Sequence, residues 1–243
     1  MDSMLSNGSM IHMCCCAHIL NLIVKEGMKV IGEGIQKIRD SVQFWMGTPK
    51  RWEKFEETAR QLRNQTGKKL LLDCETRWNS TFLMLNTALE YKDVFNRLKH
   101  REPKYKCLPS ELDWSLTKEI CTRLEMFYKA TNLFSGTKYP TANLCFPVVC
   151  EIKVALDQWR VCGIERIENM AADMLVKYEK YWSDVHVLMA VAAILDPRYK
   201  FDVLDCYFPE IYGQNSDLEV ERILGLCRKF VEEYEEEERE KEQ

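Results

Sequence analysis

The sequence predicts a mainly α-helical fold. Apolar residues recur every three or four positions along most of the chain, and 46% of its 243 residues are hydrophobic, which is enough to form a sizeable core. The one convincing strand candidate is the short run KLLLD at residues 69–73, which lies between Gly67 and a polar cluster. A single candidate strand excludes a doubly wound sheet or a β-sandwich.

The first hundred residues are predicted to form three helices. Residues 17–45 carry a continuous apolar stripe at helical spacing, although three glycines in it favour a kink or a short break (Gly27, Gly32 and Gly34). Thr48 followed by Pro49 is typical of a helix start and predicts the second helix. A third apolar stripe runs through residues 80–100, before a loop that contains two prolines.

The next two helices have recognisable boundary residues. Ser110 followed by Asp113 predicts an N-cap with an acidic first turn, and Gly136 is well placed to end the long helix that follows. A further helix is predicted over residues 142–159, with Pro147 near its start or at a kink.

The C-terminal third is predicted to hold two apolar helices and an acidic one. Residues 164–182 form the first, a shorter helix ends before Asp196 and Pro197, and residues 207–215 look like a loop. The last helix starts near Asp217 and enters a tail with eight acids in thirteen residues. We expect that tail to be solvated, with an acidic interaction tail as the functional alternative.

The first fifteen residues lack the basic-then-apolar order of a secretory signal, so we expect an intracellular protein, and the charge is unevenly distributed along it. Residues 1–106 carry 18 Lys+Arg against 12 Asp+Glu, a net +6, whereas the remainder carries 16 against 26, a net −10. The positive part fits a nucleic-acid-facing surface, although solvated helix faces explain the same count. Eleven scattered cysteines predict reduced thiols, and the lack of a long apolar run predicts no membrane partner.

Residue patterns for common enzyme chemistries are missing. Cys14, Cys15 and Cys16 with His18 could begin a zinc site, but no second Cys/His pair follows at finger-like spacing. A phosphate-binding glycine loop and a serine nucleophile elbow are also lacking, so we expect no small-molecule substrate. A two-metal nuclease needs converging carboxylates on a rigid scaffold, and such scaffolds usually include a sheet.

The densest polar segment covers residues 72–81, LDCETRWNST. Arg77 could contact a phosphate, Trp78 could stack on a base, and Asn79 could cap a helix or contact a nucleic-acid backbone. The alternative is a capped helix start with a core tryptophan and a salt-bridged arginine. The two best placed acids, Asp73 and Asp196, are expected to make local contacts instead of binding metal.

Five segments in this order resemble hAT-superfamily transposases, in particular plant hAT elements and domesticated sleeper-type relatives. They are CCAHILNLIV, LDCETRWNSTFLML, FSGTKYPTANLCFPVV, IENMAADMLVKYEKYW and AVAAILDPRYK, and they span about residues 13–205. The resemblance implies an RNase H-like core split by a helical insertion domain. It also implies an Asp, Asp, Glu triad that uses Mg²⁺ or Mn²⁺, and a BED zinc finger near the N-terminus.

On this resemblance we expect residues 1–80 to hold a remnant of the RNase H-like core with the C-x-x-H block. Residues 81–215 are expected to be the helical insertion and RNase H-like transposase region, and residues 216–243 an acidic helix and tail. The family's triad blocks and its BED finger are expected to lie outside the chain. We therefore expect no catalytic residues, no metal ligands and no cofactor, and hence an inactive remnant of a DNA transposase.

The resemblance also implies which residues face DNA. Cys15 and His18 match the C-x-x-H block, Trp78 matches a tryptophan that stacks on a flipped base, and Arg77 and Asn79 flank it. The expected function is a nuclear DNA-binding fragment in which replacing Trp78 by alanine weakens DNA binding and changes stability little. The alternative is a helical protein-interaction module in which the insertion domain contacts a related transposase or a chromatin partner.

Overall fold

The computed structural model describes residues 15–64, 66–136, 142–182 and 186–241, and in these ranges the fold is all helical. No strand occurs in them, which confirms the predicted mainly α class. The helices are α1 (Cys16–Met46), α2 (Pro49–Gln61), α3 (Trp78–Glu90), α4 (Lys92–Lys99), α5 (Glu111–Phe134), α6 (Ala142–Trp159), α7 (Glu165–Trp182), α8 (His186–Ile194), α9 (Asp202–Tyr212) and α10 (Ser216–Lys241), with a 3₁₀ turn at Gly213–Asn215. None of these helices has the length and apolar character needed to cross a membrane.

The chain divides into two compact units of opposite charge. One unit comprises residues 24–129 and holds 21 Lys+Arg against 15 Asp+Glu, a net +6; we call it the basic unit. The acidic unit comprises residues 1–23 and 130–243, with 13 against 23, a net −10. The boundary expected after residue 80 falls inside α3, and the one expected after residue 215 falls where α10 begins.

Aromatic side chains form the core of the basic unit. Trp45 of α1 lies 5.2 Å from Tyr105 and 6.3 Å from Phe55 of α2, measured between ring centroids. Phe55 in turn contacts Phe95 of α4, which lies 5.8 Å from Trp114 of α5. Because all five rings are almost fully buried, they hold α1, α2, α4 and α5 around one centre.

The acidic unit has a separate core built mainly from α6, α8 and α9. Buried apolar side chains from these helices and from the ends of α1 and α10 share one cluster, which includes Phe146, Ala190, Leu204, Phe208 and Ile223. Phe146 and Phe208 pack edge to face with centroids 6.1 Å apart. The helix α7 adds a further buried face against α6, where the Tyr178 hydroxyl donates to the Val149 carbonyl oxygen at 3.1 Å.

Two predicted helix starts are confirmed in detail. Thr48 caps α2, with its side chain accepting from the Arg51 N–H, and Pro49 occupies the first turn. Ser110 and Asp113 form a reciprocal cap at the start of α5, because the Asp113 carboxylate accepts from the Ser110 N–H at 2.8 Å and the Ser110 hydroxyl accepts from the Asp113 N–H.

The predicted strand at residues 69–73 is wrong. The described residues offer no second strand that could pair with this segment, so its backbone lies irregularly between α2 and α3. Leu70 is fully buried, whereas Leu71 and Leu72 are exposed. Side chains hold the segment in place of a sheet: the Tyr91 hydroxyl donates to the Lys68 carbonyl oxygen at 2.8 Å.

Three helix boundaries also differ from the prediction. The glycines do not interrupt α1. The predicted helix over residues 80–100 is divided into two helices at Tyr91, whose backbone is not helical. The Tyr91 ring packs on Phe55. The loop predicted for residues 207–215 is largely helix, because the buried positions Val203, Leu204 and Phe208 keep α9 on the core until Gly213, with its positive φ, ends it.

Candidate nucleic-acid interface

Ser80 fixes the shape of the loop that precedes α3. Its hydroxyl oxygen accepts from the Cys74 N–H at 2.8 Å and lies 2.9 Å and 2.7 Å from the carbonyl oxygens of Cys74 and Arg77. The Arg77 N–H closes the turn by donating to the Cys74 carbonyl oxygen at 2.8 Å. One side chain on the first turn of α3 thus holds residues 74–77 in a compact turn.

A buried ion pair anchors this loop to α1. The Arg39 guanidinium donates to both carboxylate oxygens of Asp73, at 2.9 Å and 2.8 Å, and the Thr81 hydroxyl donates to the same carboxylate at 2.7 Å. Burial acts to raise the pKa of Asp73, but the hydrogen bonds from Arg39 and Thr81 outweigh it and lower that pKa. Asp73 therefore makes the local contact expected of it.

Arg77 lies on the outer side of the anchored loop. It is the N-cap residue of α3, its side chain makes no capping hydrogen bond, and it is exposed to solvent. The side-chain oxygen Oδ1 of Asn79, two residues further on, is buried and finds no hydrogen-bond donor among the described residues. Of the two residues that flank Trp78, Arg77 is thus exposed, whereas Asn79 is half-buried.

Trp78 is a core residue in this structure, as the core-tryptophan alternative for this segment predicts. Its side chain is 3% exposed, and its ring centroid lies 6.5 Å from that of Phe82, which in turn packs 5.0 Å from Tyr128. The indole is buried because the first turn of α3 directs it inward while the neighbouring Arg77 faces solvent. Base stacking by Trp78 stays a prediction, and it requires the ring to leave this core.

Cys15 and His18 belong to the acidic unit. The Cys15 carbonyl oxygen accepts from the N–H groups of His18 and Ile19, at 2.9 Å and 3.0 Å, so Cys15 marks the start of α1. Both side chains are exposed on this first turn. Because Arg77, Trp78 and Asn79 belong to the basic unit, the five predicted DNA-contacting residues are divided between the two units.

Asp196 makes a second arginine–carboxylate contact, in the acidic unit. The Arg198 Nη2 donates to its carboxylate at 2.7 Å and the Asn143 amide at 2.6 Å, and the Arg198 side chain is the largest of the causes that lower the pKa of Asp196. Its carbonyl oxygen also accepts from the Tyr199 N–H, which gives the expected turn. No three His, Cys, Asp or Glu residues in the described ranges converge as a metal site would require.

Sequence reasoning missed the partners that hold these acids. Arg39 lies 34 residues before Asp73, and Asn143 lies 53 residues before Asp196. No local spacing rule connects residues that far apart, because such pairs arise from helix packing. The one available signal for Arg39 was its position next to the apolar stripe of α1, where a charge needs a partner.

Comparison with known sequences identifies the family. Residues 13–123 match the family described as the ZBED1 RNase-like helical domain, and residues 143–234 match that of hAT-like transposases with an RNase-H fold. The first match ends at residue 123 and the second begins at residue 143, and one of the two chain boundaries between the compact units, after residue 129, falls within that interval. No solved structure matches the chain.

Curated relatives agree with this assignment. The chain is 37% identical over 96% of its length to a putative AC transposase of Zea mays and 31% identical over 96% to the BED zinc-finger protein RICESLEEPER 2 of Oryza sativa subsp. japonica. It covers 29% and 32% of these two relatives, and 26% of DAYSLEEPER of Arabidopsis thaliana, to which it is 31% identical over 75% of its own length. The chain therefore belongs to the family of hAT-like transposases and their domesticated BED zinc-finger relatives.

Proposed function

We propose that this chain binds DNA through the basic unit, with Arg77 as a phosphate-contacting residue. The observation that carries the proposal is an exposed arginine on a loop whose backbone and inner side are held by hydrogen bonds. Ser80 holds the turn, and the Arg39–Asp73 pair holds the turn on α1. A side chain presented by a rigid loop loses less conformational entropy when it contacts a ligand.

The positive charge of the basic unit also supports DNA binding at the surface around Arg77. The basic unit has a net charge of +6, and exposed Lys69 lies on the same loop connection between α2 and α3 as Arg77. Phosphate contacts by such side chains supply a sequence-independent, salt-dependent affinity. The expected location is the nucleus, in keeping with the transposase and BED zinc-finger names of the relatives.

We further propose that this segment does not cut DNA by itself. Divalent-metal catalysis needs carboxylate oxygens that are available to Mg²⁺ or Mn²⁺. The carboxylates of Asp73 and Asp196 each accept two or more hydrogen bonds from an arginine and a neutral side chain. Both acids therefore act as structural anchors in this proposal.

The alternative is a helical protein-interaction module that contacts a related transposase or a chromatin partner. The observation in its favour is a set of large apolar side chains exposed on the basic unit, including Leu71 at 55%, Leu72 at 44% and Leu83 at 43%. Large exposed apolar groups, two of them adjacent at Leu71 and Leu72, are typical of protein contact surfaces when they form one patch. A chain that fails to bind DNA at low salt favours this alternative.

The proposal is tested by comparing Arg77→Gln with Arg97→Gln in a DNA titration followed by fluorescence anisotropy. Arg97 is an exposed arginine of α4 in the same unit, so both variants remove one charge from the same +6 body. We expect Arg77→Gln to weaken binding more and to reduce the salt slope by about 1, as loss of one phosphate contact does. Equal effects of the two variants would show that only net charge matters and would remove Arg77 from the interface.

A further inference from the structure

A cavity with a volume of about 180 Å³ lies inside the acidic unit, where α6, α7 and α9 meet. The helix α6 contributes Phe146, Cys150 and Lys153, which are four and three positions apart. The helix α9 contributes Phe208 and Tyr212, which are four positions apart. Such spacings place side chains on one face of a helix, so both helices turn a face toward the cavity. Because an apolar cavity of about 150 Å³ holds a benzene molecule, this one has room for a six-membered ring with a substituent.

The walls of this cavity are largely aromatic. Phe146, Tyr178 and Phe208 are each at most 2% exposed. Phe208 packs edge to face with Phe146 at 6.1 Å and with Tyr212 at 5.0 Å, measured between ring centroids. Burial raises the pKa of Tyr212 to about 12, so this wall is uncharged at neutral pH. A planar aromatic ligand is the kind of molecule that such rings favour.

The polar groups of the cavity are an ammonium and a carboxylate. Lys153 Nζ lies 2.9 Å from Asp157 Oδ2 and 3.0 Å from Glu179 Oε1. An ammonium group has three N–H donors, so among the described residues one donor is left for a ligand. The Glu179 side chain is 54% exposed, and its second carboxylate oxygen can accept a further hydrogen bond. The Tyr178 hydroxyl already donates to the Val149 carbonyl oxygen.

We infer that this cavity binds a small heteroaromatic amine of the aminopyrimidine class. The ring would lie between the aromatic walls, its ring nitrogen would accept from Lys153, and its exocyclic amino group would donate to Glu179. Two carboxylates oppose one ammonium here, a local net charge of −1, which disfavours phosphate and carboxylate ligands. This site is independent of the DNA-binding proposal, because all of its residues belong to the acidic unit.

The cavity is suited to binding a ligand and not to converting it. Its one thiol belongs to Cys150, and burial raises the pKa of that thiol to about 12. At neutral pH the thiol stays protonated and is a poor nucleophile. A bound but unconverted ligand is consistent with the expectation from the sequence of no small-molecule substrate.

The test is a titration of the whole chain, labelled at its isoleucine methyl groups, with 2-aminopyrimidine, followed by NMR. Ile211 lines the cavity, and Ile120 is a buried isoleucine of the basic unit that serves as the reference. An Ile211→Val variant assigns the signal. We expect a saturable shift of the Ile211 methyl signals and none at Ile120. Pyrimidine, which lacks the amino group, should bind about tenfold more weakly, and the anion benzoate should cause no shift.

Two variants locate the binding. Glu179→Ala should weaken it about tenfold, whereas Asp173→Ala, which removes an exposed acid of the same helix outside the cavity, should not. Cys150→Met should fill the cavity and abolish the Ile211 shift, with a melting curve to show that the variant is folded. Because Glu179 is exposed, its variant keeps the test decisive even if Cys150→Met unfolds.

Several results would overturn the inference. One is the lack of a saturable Ile211 shift with 2-aminopyrimidine, and another is equal affinity for pyrimidine or benzoate. Equal effects of Glu179→Ala and Asp173→Ala would contradict it as well. So would binding that survives in folded Cys150→Met.

Discussion

Replacing Trp78 by alanine should strongly destabilise the basic unit. The indole is 97% buried, since 3% of it is exposed, and it packs beside Phe82 at the start of α3. Removing a buried tryptophan costs about 3–5 kcal/mol, because the lost apolar contacts are compounded by the cavity left behind. For a chain of this length, about 2–4 °C of thermal midpoint corresponds to each kcal/mol, so the midpoint should fall by about 6–20 °C.

The assay is a pair of melting curves with a DNA titration at one fixed salt concentration. Leu83→Ala is the matched control, because Leu83 lies on the same helix and is 43% exposed, and its loss should cost within about 1 kcal/mol. Unless the ring leaves the core when DNA binds, DNA binding per folded molecule should be unchanged by Trp78→Ala. A melting curve like that of Leu83→Ala, combined with weakened DNA binding, would refute this reasoning and restore a base-stacking Trp78.

Other changes around the loop have equally specific outcomes. Asp73→Asn removes the carboxylate that accepts two hydrogen bonds from Arg39 and should cost about 1.5–3 kcal/mol in urea unfolding, because Arg39 keeps its hydrogen bond to Gln36. Glu75→Gln, at an exposed acid 3.8 Å from Arg39, should change stability by less than about 1 kcal/mol. The pKa of Asp73 is lower in the folded chain than in the unfolded chain, where it is about 3.9, so ionised Asp73 stabilises the fold above pH of about 3.9. This stabilisation is lost as pH falls through the pKa of the folded chain. The free energies of unfolding of wild type and Asp73→Asn should therefore converge in acid, and values that stay apart would contradict this. Ser80→Ala should cost about 0.5–1.5 kcal/mol and speed hydrogen exchange of the Cys74 amide, and unchanged exchange would mean that Ser80 does not hold the turn. Incubation with duplex DNA and Mg²⁺ or Mn²⁺ should leave both strands intact on a denaturing gel, and cleavage that Asp73→Asn abolishes would overturn the structural role of that acid.

The helices were predictable where local chemistry determines them. The stripe of α1 and the caps of α2 and α5 depend on residues three or four positions apart, and such signals are contained in the sequence itself. The strand predicted at residues 69–73 failed because a strand requires a partner that local sequence does not show. The helix α9 was not predicted because no capping side chain marks its start. Its buried face is defined by the core on which it packs, which local sequence does not show.

The sequence predicted which segment forms the candidate site, but not which of its side chains are exposed to solvent. The segment at residues 72–81 was selected because it concentrates polar and aromatic residue types, and the structure does make it the anchored loop before α3. Whether Arg77 or Trp78 faces solvent depends on the rotation of the first turn of α3, and that rotation is set by packing on other helices, such as the contact of Phe82 with Tyr128 of α5. Sequence spacing alone does not specify it.

The most direct test of DNA binding by this chain is a titration of a labelled duplex across a series of salt concentrations. If the basic unit contacts phosphates, the logarithm of the binding constant should fall linearly with the logarithm of salt concentration, with a slope of about −0.9 for each phosphate neutralised. We predict a slope of about −1.8 or steeper, which corresponds to phosphate contacts by Arg77 and at least one further cation. An affinity that does not change with salt, or no detectable binding at low salt, would contradict the proposed function.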